Sequence, residues 1–237
     1  MNGDPAAAVA VAVLCGAGGL LVPLLVAHTP EPEPVEGDEP KTPYAEVAAR
    51  SRLMMWAALA SILAGGVIGL SVGRDWSLLL LVPLVPVCVA LAVIDWHTHL
   101  LPSRIVLPAL AATVVLSGVV WLVDRDSDAL VRALVGLVAV RSLFWLLWFI
   151  RASGMGFGDV RLSALLGLAL GHLGWGELVV GVYSGFLVFG LPGLVVAVVR
   201  RDRQLLRTPF PFGPFMLLGA VAGIALGPAV WTRLVTG

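Results

Sequence analysis

The sequence predicts an all-α, polytopic integral membrane protein. Its 237 residues are 59% hydrophobic and only 13% charged. A soluble chain of this length could not bury that much apolar surface in one core, whereas a bilayer removes such surface from water without a protein interior. The net charge is zero, and we therefore predict no nucleic-acid partner.

Apolar segments of about 20 residues, the length that crosses the hydrocarbon layer as a helix, follow one another along the chain. The first run carries Asp4 and no Lys or Arg ahead of it, so we expect a mature helix rather than a signal peptide. The sixth segment is short and ends near His172. Eight spans are predicted: Ala6–Ala27, Leu53–Gly73, Ser77–Ile94, Ile105–Val123, Ala129–Ile150, Val160–Leu173, Leu178–Val199 and Phe215–Leu234.

Basic residues in the connecting loops predict the orientation, because Lys and Arg prefer the cytoplasmic side. With the N-terminus outside, ten of the 15 basic residues fall in inside loops and four in outside segments, while Arg141 lies within the fifth span. This bias predicts an N-out, C-out orientation. It also supports the short sixth span, without which the four arginines of 200–207 would face outside.

One long polar segment, residues 28–52, interrupts the apolar pattern and is rich in proline and acidic residues. Both features oppose a packed core, so we predict a flexible acidic cytoplasmic loop, with a docking site for a partner as the alternative. No soluble module is evident, and residues 1–237 are predicted to form a single membrane-embedded domain. Cys15 and Cys88 lie in apolar runs and are interpreted as small buried hydrophobic residues.

Two acids lie at the predicted cytoplasmic ends of spans, where charged residues are sparse because desolvation is costly. Asp95 ends the third span and Asp159 begins the sixth. Taken singly, Asp95 could end its helix at the interface, and Asp159 could cap the N-terminus of its own helix. Taken together, two carboxyls at one membrane face are the pair that an aspartyl protease uses, with one protonated and one ionised.

Three alternating glycines precede the second acid: Gly154, Gly156 and Gly158. Glycine permits backbone torsions closed to other residues and lets a substrate strand approach closely. The spacing differs from that of a dinucleotide-binding loop, and no strand is predicted before it. We interpret the glycines as shaping a loop at the site, with a plain flexible connector as the alternative.

His97 and His99 flank Thr98 beside Asp95 and raise the question of a metal site. Side chains two residues apart point away from each other on a helix, and a third ligand would have to come from elsewhere. We therefore predict no metal and interpret these histidines as interfacial residues that position a substrate or tune Asp95.

At these positions the chain resembles the type IV prepilin leader peptidases, which are GxGD membrane aspartyl proteases. Gly154 through Asp159 to Leu162 resembles the family's second aspartate motif, with Arg161 where the family usually has lysine. Residues 94–108, with Asp95, Pro102 and Pro108, resemble the first. Residues 209–220, with Pro211 and Gly213, resemble the C-terminal segment, and the likeness extends over residues 53–235.

The resemblance implies that Asp95 and Asp159 are the catalytic pair. It implies cleavage of a basic leader, ahead of the hydrophobic N-terminal helix of pilins and pseudopilins, at the cytoplasmic face of a bacterial cell membrane. Gly154, Gly156, Gly158, Arg161, Pro102, Pro211 and Gly213 would shape the substrate-side loops.

One departure concerns a cofactor. Many bacterial members carry paired CxxC motifs between their first two helices and methylate the new N-terminus with S-adenosylmethionine. Residues 28–52 of this chain contain no cysteine. We therefore predict no cofactor, and this departure argues against methylation.

Two other function classes fit a polytopic protein with acids in its spans. A transporter would use Asp95 and Asp159 as proton- or cation-relay residues. It predicts acids near the middle of the membrane, often with repeated halves, whereas these acids cluster at one face and we find no repeat. A non-catalytic scaffold of a pilus or secretion machine would need neither acid.

Overall fold

The computed structural model describes residues 4–31, 41–150, 155–200 and 211–236, with the side chains of 191–200 and 236 left aside. Within these ranges the chain forms ten helices and no strand, which confirms the all-α class. The helices are α1 (Pro5–Gly19), α2 (Val22–Ala27), α3 (Tyr44–Ala48), α4 (Leu53–Val72), α5 (Leu78–Thr98), α6 (Ser103–Asp124), α7 (Ser127–Ile150), α8 (Phe157–Leu173), α9 (Trp175–Arg200) and α10 (Gly213–Thr236).

The helices belong to two compact units. Residues Met1–Asp124 form unit 1, which holds α1 to α6, and Arg125–Gly237 form unit 2, which holds α7 to α10. The organisation of 1–237 as a single peptidase domain stays a prediction.

Six segments of the described chain are long and apolar enough to cross a membrane: Pro5–Ala27, Leu53–Val72, Leu78–Thr98, Ser103–Asp124, Ser127–Ile150 and Gly213–Val235. The chain is therefore a multi-pass membrane protein. The described apolar part of α9, Trp175–Gly190, is shorter, and α8 has 17 residues. These two helices occupy the predicted seventh and sixth spans, and the N-out, C-out orientation stays a prediction.

The first predicted span is not one continuous helix. It breaks at Leu20 and Leu21, between α1 and α2. Pro23 lies in the first turn of α2. Proline has no N–H to bond the preceding turn and is tolerated where a helix begins, so the break falls where this proline favours it.

Glycines let pairs of helices approach until their backbones touch. Between α1 and α4, a Cβ on Gly69 would lie 2.6 Å from Cα of Ala8; between α7 and α8, a Cβ on Gly167 would lie 2.5 Å from the carbonyl oxygen of Gly136. The helices α9 and α10 cross in the same way. Within a membrane, where close packing rather than water exclusion holds helices together, small residues are typical of such interfaces.

The described part of segment 28–52 is more ordered than its composition predicts. Residues 41–52 include α3, which packs against α2 and α5 with Tyr44 and Val47 buried at 2% and 0% exposure. The carboxylate of Glu31 accepts a hydrogen bond from the backbone N–H of Tyr44 at 2.5 Å. Burial raises the pKa of the Tyr44 phenol, and the Glu31 charge adds to that rise. The acidic stretch 32–40, for which flexibility was predicted, lies outside the described residues.

Replacing Tyr44 with alanine should release α3 from unit 1. Removing a buried aromatic side chain costs about 3–5 kcal/mol, more than a five-residue helix can recover from its own hydrogen bonds. We expect faster tryptic cleavage at Lys41, Arg50 and Arg52, measured by mass spectrometry of protein in bilayers. Glu46→Ala, on the exposed side of α3, is the control. Equal cleavage of both variants would show that Tyr44 does not hold this helix.

Candidate active site

Asp95 lies in the last turn of α5 and is only 4% exposed. The helix ends because His99 adopts the left-handed conformation, at φ 54° and ψ 35°, and its N–H donates to the carbonyl of Asp95 at 2.9 Å. Thr98 Oγ1 donates to the carbonyl of Ile94 at 2.8 Å. The acid is thus held on a rigid helix, one turn before the chain reverses into α6.

The two histidines near Asp95 differ in their surroundings. Nδ1 of His97 lies 2.8 Å from the carbonyl oxygen of Val93, one turn back on α5, and His99 is exposed. Over the described ranges, no three His, Cys, Asp or Glu side chains come together in a way that could hold an ion.

Pro102 directly precedes α6. Its carbonyl oxygen accepts the N–H groups of Ile105 and Val106 at 3.0 and 3.1 Å, which are among the first bonds of α6. Leu101 beside it is buried. This turn therefore has a fixed geometry just after α5, the helix that carries Asp95.

Asp159 is the third residue of α8 and is 7% exposed. Its carboxylate Oδ2 accepts the N–H of Gly156 at 3.1 Å, and its own N–H donates to the carbonyl of Gly156 at 3.1 Å. A negative charge is favoured at the N-terminus of a helix. The N-cap residue is Gly156 rather than Asp159. Asp159, at the third helical position, bonds back to that residue, and this contact orients a carboxyl that is almost entirely buried.

The glycines before Asp159 do not need unusual torsions where the structure describes them. Gly156 is extended, at φ −71° and ψ 147°, a conformation open to any residue, and Gly158 lies within α8. Gly154 lies outside the described residues. Of the two predicted properties, unusual torsions and close approach, only the second can apply to Gly156 and Gly158. Both are small residues beside a buried acid.

An aromatic and cationic stack fixes the start of α8 against the end of α7. The ring centroids of Trp148 and Phe157 lie 5.1 Å apart at 72°. The guanidinium carbon of Arg161 lies 4.9 Å from the Phe157 ring centre, a distance at which a cation is attracted to the ring face. Arg161 therefore holds its charge one half-turn from Asp159.

The C-terminal motif is anchored by phenylalanines that sequence reasoning did not single out. Pro211 and Gly213 are buried on either side of Phe212, whose ring lies 4.8–6.0 Å from those of Phe144, Phe186 and Phe189. The spacing of Phe186 and Phe189, one turn apart on α9, was a signal that could have found this cluster.

Ser163, one turn after Asp159, was also missed. It is fully buried, donates to the carbonyl of Val160 at 2.9 Å, and lines a cavity of about 10 Å³ with Phe144 and Phe212. The motif at residues 211–213 and the helix that carries Asp159 thus meet around one small cavity in unit 2.

Comparison with known proteins places these features in a family. The profile of the type IV leader peptidase family matches residues 82–226, a region that includes Asp95, Asp159 and Phe212. No solved structure matches the chain significantly.

Three curated relatives are each named a prepilin leader peptidase/N-methyltransferase. That of Pseudomonas putida is 32% identical over 161 residues, which are 67% of this chain and 54% of the relative. That of Aeromonas salmonicida is 30% identical over 191 residues, which are 78% of this chain and 61% of the relative. That of Pseudomonas aeruginosa is 32% identical over 166 residues, which are 70% of this chain and 54% of the relative. The chain therefore spans a little over half the length of these relatives, and it belongs to the type IV leader peptidase family.

Proposed function

We propose that this protein is a membrane aspartyl endopeptidase that removes the leader from prepilin-like substrates at the cytoplasmic face of the membrane. The observation that carries the proposal is the presence of two almost fully buried carboxyls, Asp95 and Asp159, at helix ends inside the region that matches the family. A buried carboxyl is costly unless it is protonated or has partners, so two of them in one such region suggest a functional site.

The order of helices along the chain supports a common face for the two acids. Asp95 lies at the end of α5 and Asp159 at the start of α8, and two segments of spanning length, α6 and α7, separate them. If both segments cross, the chain returns to the face that it left. The excess of arginine in the loops on that side supports the cytoplasmic assignment.

The chemistry follows from one proton shared by two carboxyls. The ionised carboxylate takes a proton from a water molecule as that water attacks the scissile carbonyl carbon. The protonated partner donates to the carbonyl oxygen and, as the tetrahedral intermediate collapses, a proton passes to the leaving amine. Neither a covalent intermediate nor a cofactor is required for this reaction.

The surrounding residues are proposed to shape the path of the substrate. Gly156 and Gly158 leave room beside Asp159, and Arg161 lies two residues further along α8. Pro102 fixes the turn before α6, and Pro211 and Gly213 fix the start of α10. The substrate is a basic leader followed by a hydrophobic helix that remains in the bilayer. We propose that this chain cleaves without methylating, because its segment 28–52 contains no cysteine.

Co-expression with a prepilin tests the proposal. We expect the substrate to lose its leader only when this protein is present, which a mobility shift and the intact mass of the product would record. The same mass reports whether the new terminus carries a methyl group, and we expect none. An uncleaved panel of prepilins and pseudopilins, with the protein inserted and folded, would contradict the proposal.

A further inference from the structure

The helix α8 is shorter than the hydrocarbon layer is thick, and most of its length is enclosed by protein. Its 17 residues span about 25 Å at about 1.5 Å per residue, against a hydrocarbon thickness of about 30 Å. Every residue from Leu162 to His172 is buried. The far end of α8, opposite Asp159, therefore ends inside protein, where an unpaired carbonyl group would be costly.

All four carbonyl groups in the last turn of α8 are satisfied, three of them by one side chain. The N–H of Gly174 donates to Leu170 at 3.0 Å. Arg132 of α7 donates from Nε to the carbonyl of Gly171 at 2.8 Å and from Nη2 to those of His172 and Leu173 at 3.0 and 3.4 Å. These four carbonyls are those that a helix C-terminus leaves without a partner. The guanidinium also suits the negative end of the helix dipole.

The backbone at Arg132 is itself locked against α8. A Cβ on Gly171 would lie 2.7 Å from the carbonyl oxygen of Arg132, and one turn along, Gly167 lies equally close to Gly136. The charge of Glu177, in the first turn of α9, also interacts with Arg132. The far end of α8 is thus clamped by α7, with α9 beside it.

We propose that Arg132 is a positioning residue that fixes the depth of Asp159 in the bilayer and thereby selects the peptide bond that is cut. This rests on the proposed function of Asp159. Twelve residues separate Gly171 from Asp159, a distance of about 18 Å along a helix. A hydrogen-bonded helix transmits an axial shift over that length, and a misplacement of about 1 Å can lower a rate about 10²-fold.

The hydrophobic helix of the substrate holds the substrate in the same bilayer. The depth of Asp159 therefore determines which peptide bond of the substrate it can reach. Moving the scissile bond by one residue changes its depth by about 1.5 Å in a helix or 3.3 Å in an extended segment. An acid at fixed depth therefore meets one bond in preference to its neighbours. An acid on a loosely held helix meets several.

The first measurement is the depth of α8, and it does not depend on activity. A nitroxide is attached at Met155→Cys, a partly exposed position directly before the N-cap of α8, with Cys15 and Cys88 replaced by alanine in the 237-residue chain. Its depth is read from collision rates with oxygen and with a polar nickel chelate. We expect Arg132→Met to move or broaden that depth by about one helical residue, 1.5 Å, while Arg233→Met, an exposed arginine near the end of α10, leaves it unchanged.

The second measurement is bond choice. Prepilins with one residue added or removed between the scissile bond and the hydrophobic segment are cleaved by each variant, and product termini are identified by mass. We expect the wild type to prefer one spacing by at least about tenfold. Arg132→Met should cleave that substrate about 10–10²-fold more slowly and discriminate less between spacings, and Arg132→Lys should recover part of the preference.

An unchanged depth together with an unchanged spacing preference in folded Arg132→Met would overturn the inference, even if the rate fell. If neither Arg132→Met nor Arg132→Lys folds, Arg132 is a structural residue and the inference is also overturned. If the wild type cleaves no prepilin while Arg132→Met still shifts the label, the proposed function fails and the clamp stands.

Discussion

Replacing Asp159 with asparagine is expected to lower the rate of leader removal by about 10²–10⁴-fold, the range for loss of a general acid or base. Asparagine keeps the shape of the side chain and an oxygen that can accept the N–H of Gly156, now 3.1 Å from Oδ2. The helix cap should survive, but the side chain can neither ionise nor share a proton. Asp95→Asn, at a position only 4% exposed, should have the same effect.

The measurement is the initial rate of product formation from one prepilin, at equal amounts of inserted protein. Asp128→Asn, an exposed acid in the first turn of α7, is the matched control and should stay within about twofold of the wild type. The proposed mechanism uses the two acids as one unit, so it predicts that the double variant is no slower than either single variant. Near-normal cleavage by folded Asp95→Asn or Asp159→Asn would show that the replaced residue is not one of the catalytic acids.

Properties that depend on local sequence were predictable. The length of the apolar runs located the six spanning segments, because a bilayer stabilises each such segment whichever helices pack beside it. Asp95 and Asp159 were predicted as site residues because acids at span ends are rare, and the structure shows that both are buried. The sequence also indicated that the Asp159 carboxylate could accept a backbone N–H, although the N-cap residue proved to be Gly156.

Properties that depend on which helices pack together were not predictable. Arg132 was counted only as a basic residue outside the membrane, yet its partners lie about 40 positions further along the chain. Hydropathy and charge bias are sums along the sequence, and neither specifies a contact of that range. The ordered helix α3 was not predicted for a related reason. Tyr44 and Val47 are buried where α3 packs against α2 and α5, and no feature of residues 41–52 indicates that packing.

Replacing Gly167 with alanine should destabilise unit 2 and slow cleavage, although alanine is the better helix former by about 1 kcal/mol. A Cβ at this position would lie 2.5 Å from the carbonyl oxygen of Gly136 and 3.0 Å from Cβ of Val140. A backbone carbonyl cannot change rotamer as a side chain can, so α7 and α8 must separate to make room for the added methyl group. Overpacking of this kind costs about 1–3 kcal/mol.

The control lies in the same unit. Among the described residues, none lies within 4 Å of the position that a methyl group added to Gly190 of α9 would take, so Gly190→Ala should keep or raise the stability. Thermal unfolding in detergent should separate the two variants, with the midpoint of Gly167→Ala lower by roughly 2–4 °C for each kcal/mol lost. Equal midpoints would mean that α7 and α8 do not meet at these glycines. Since the clamp at Arg132 lies one turn further along the same contact, that result would also leave Asp159 without a fixed depth.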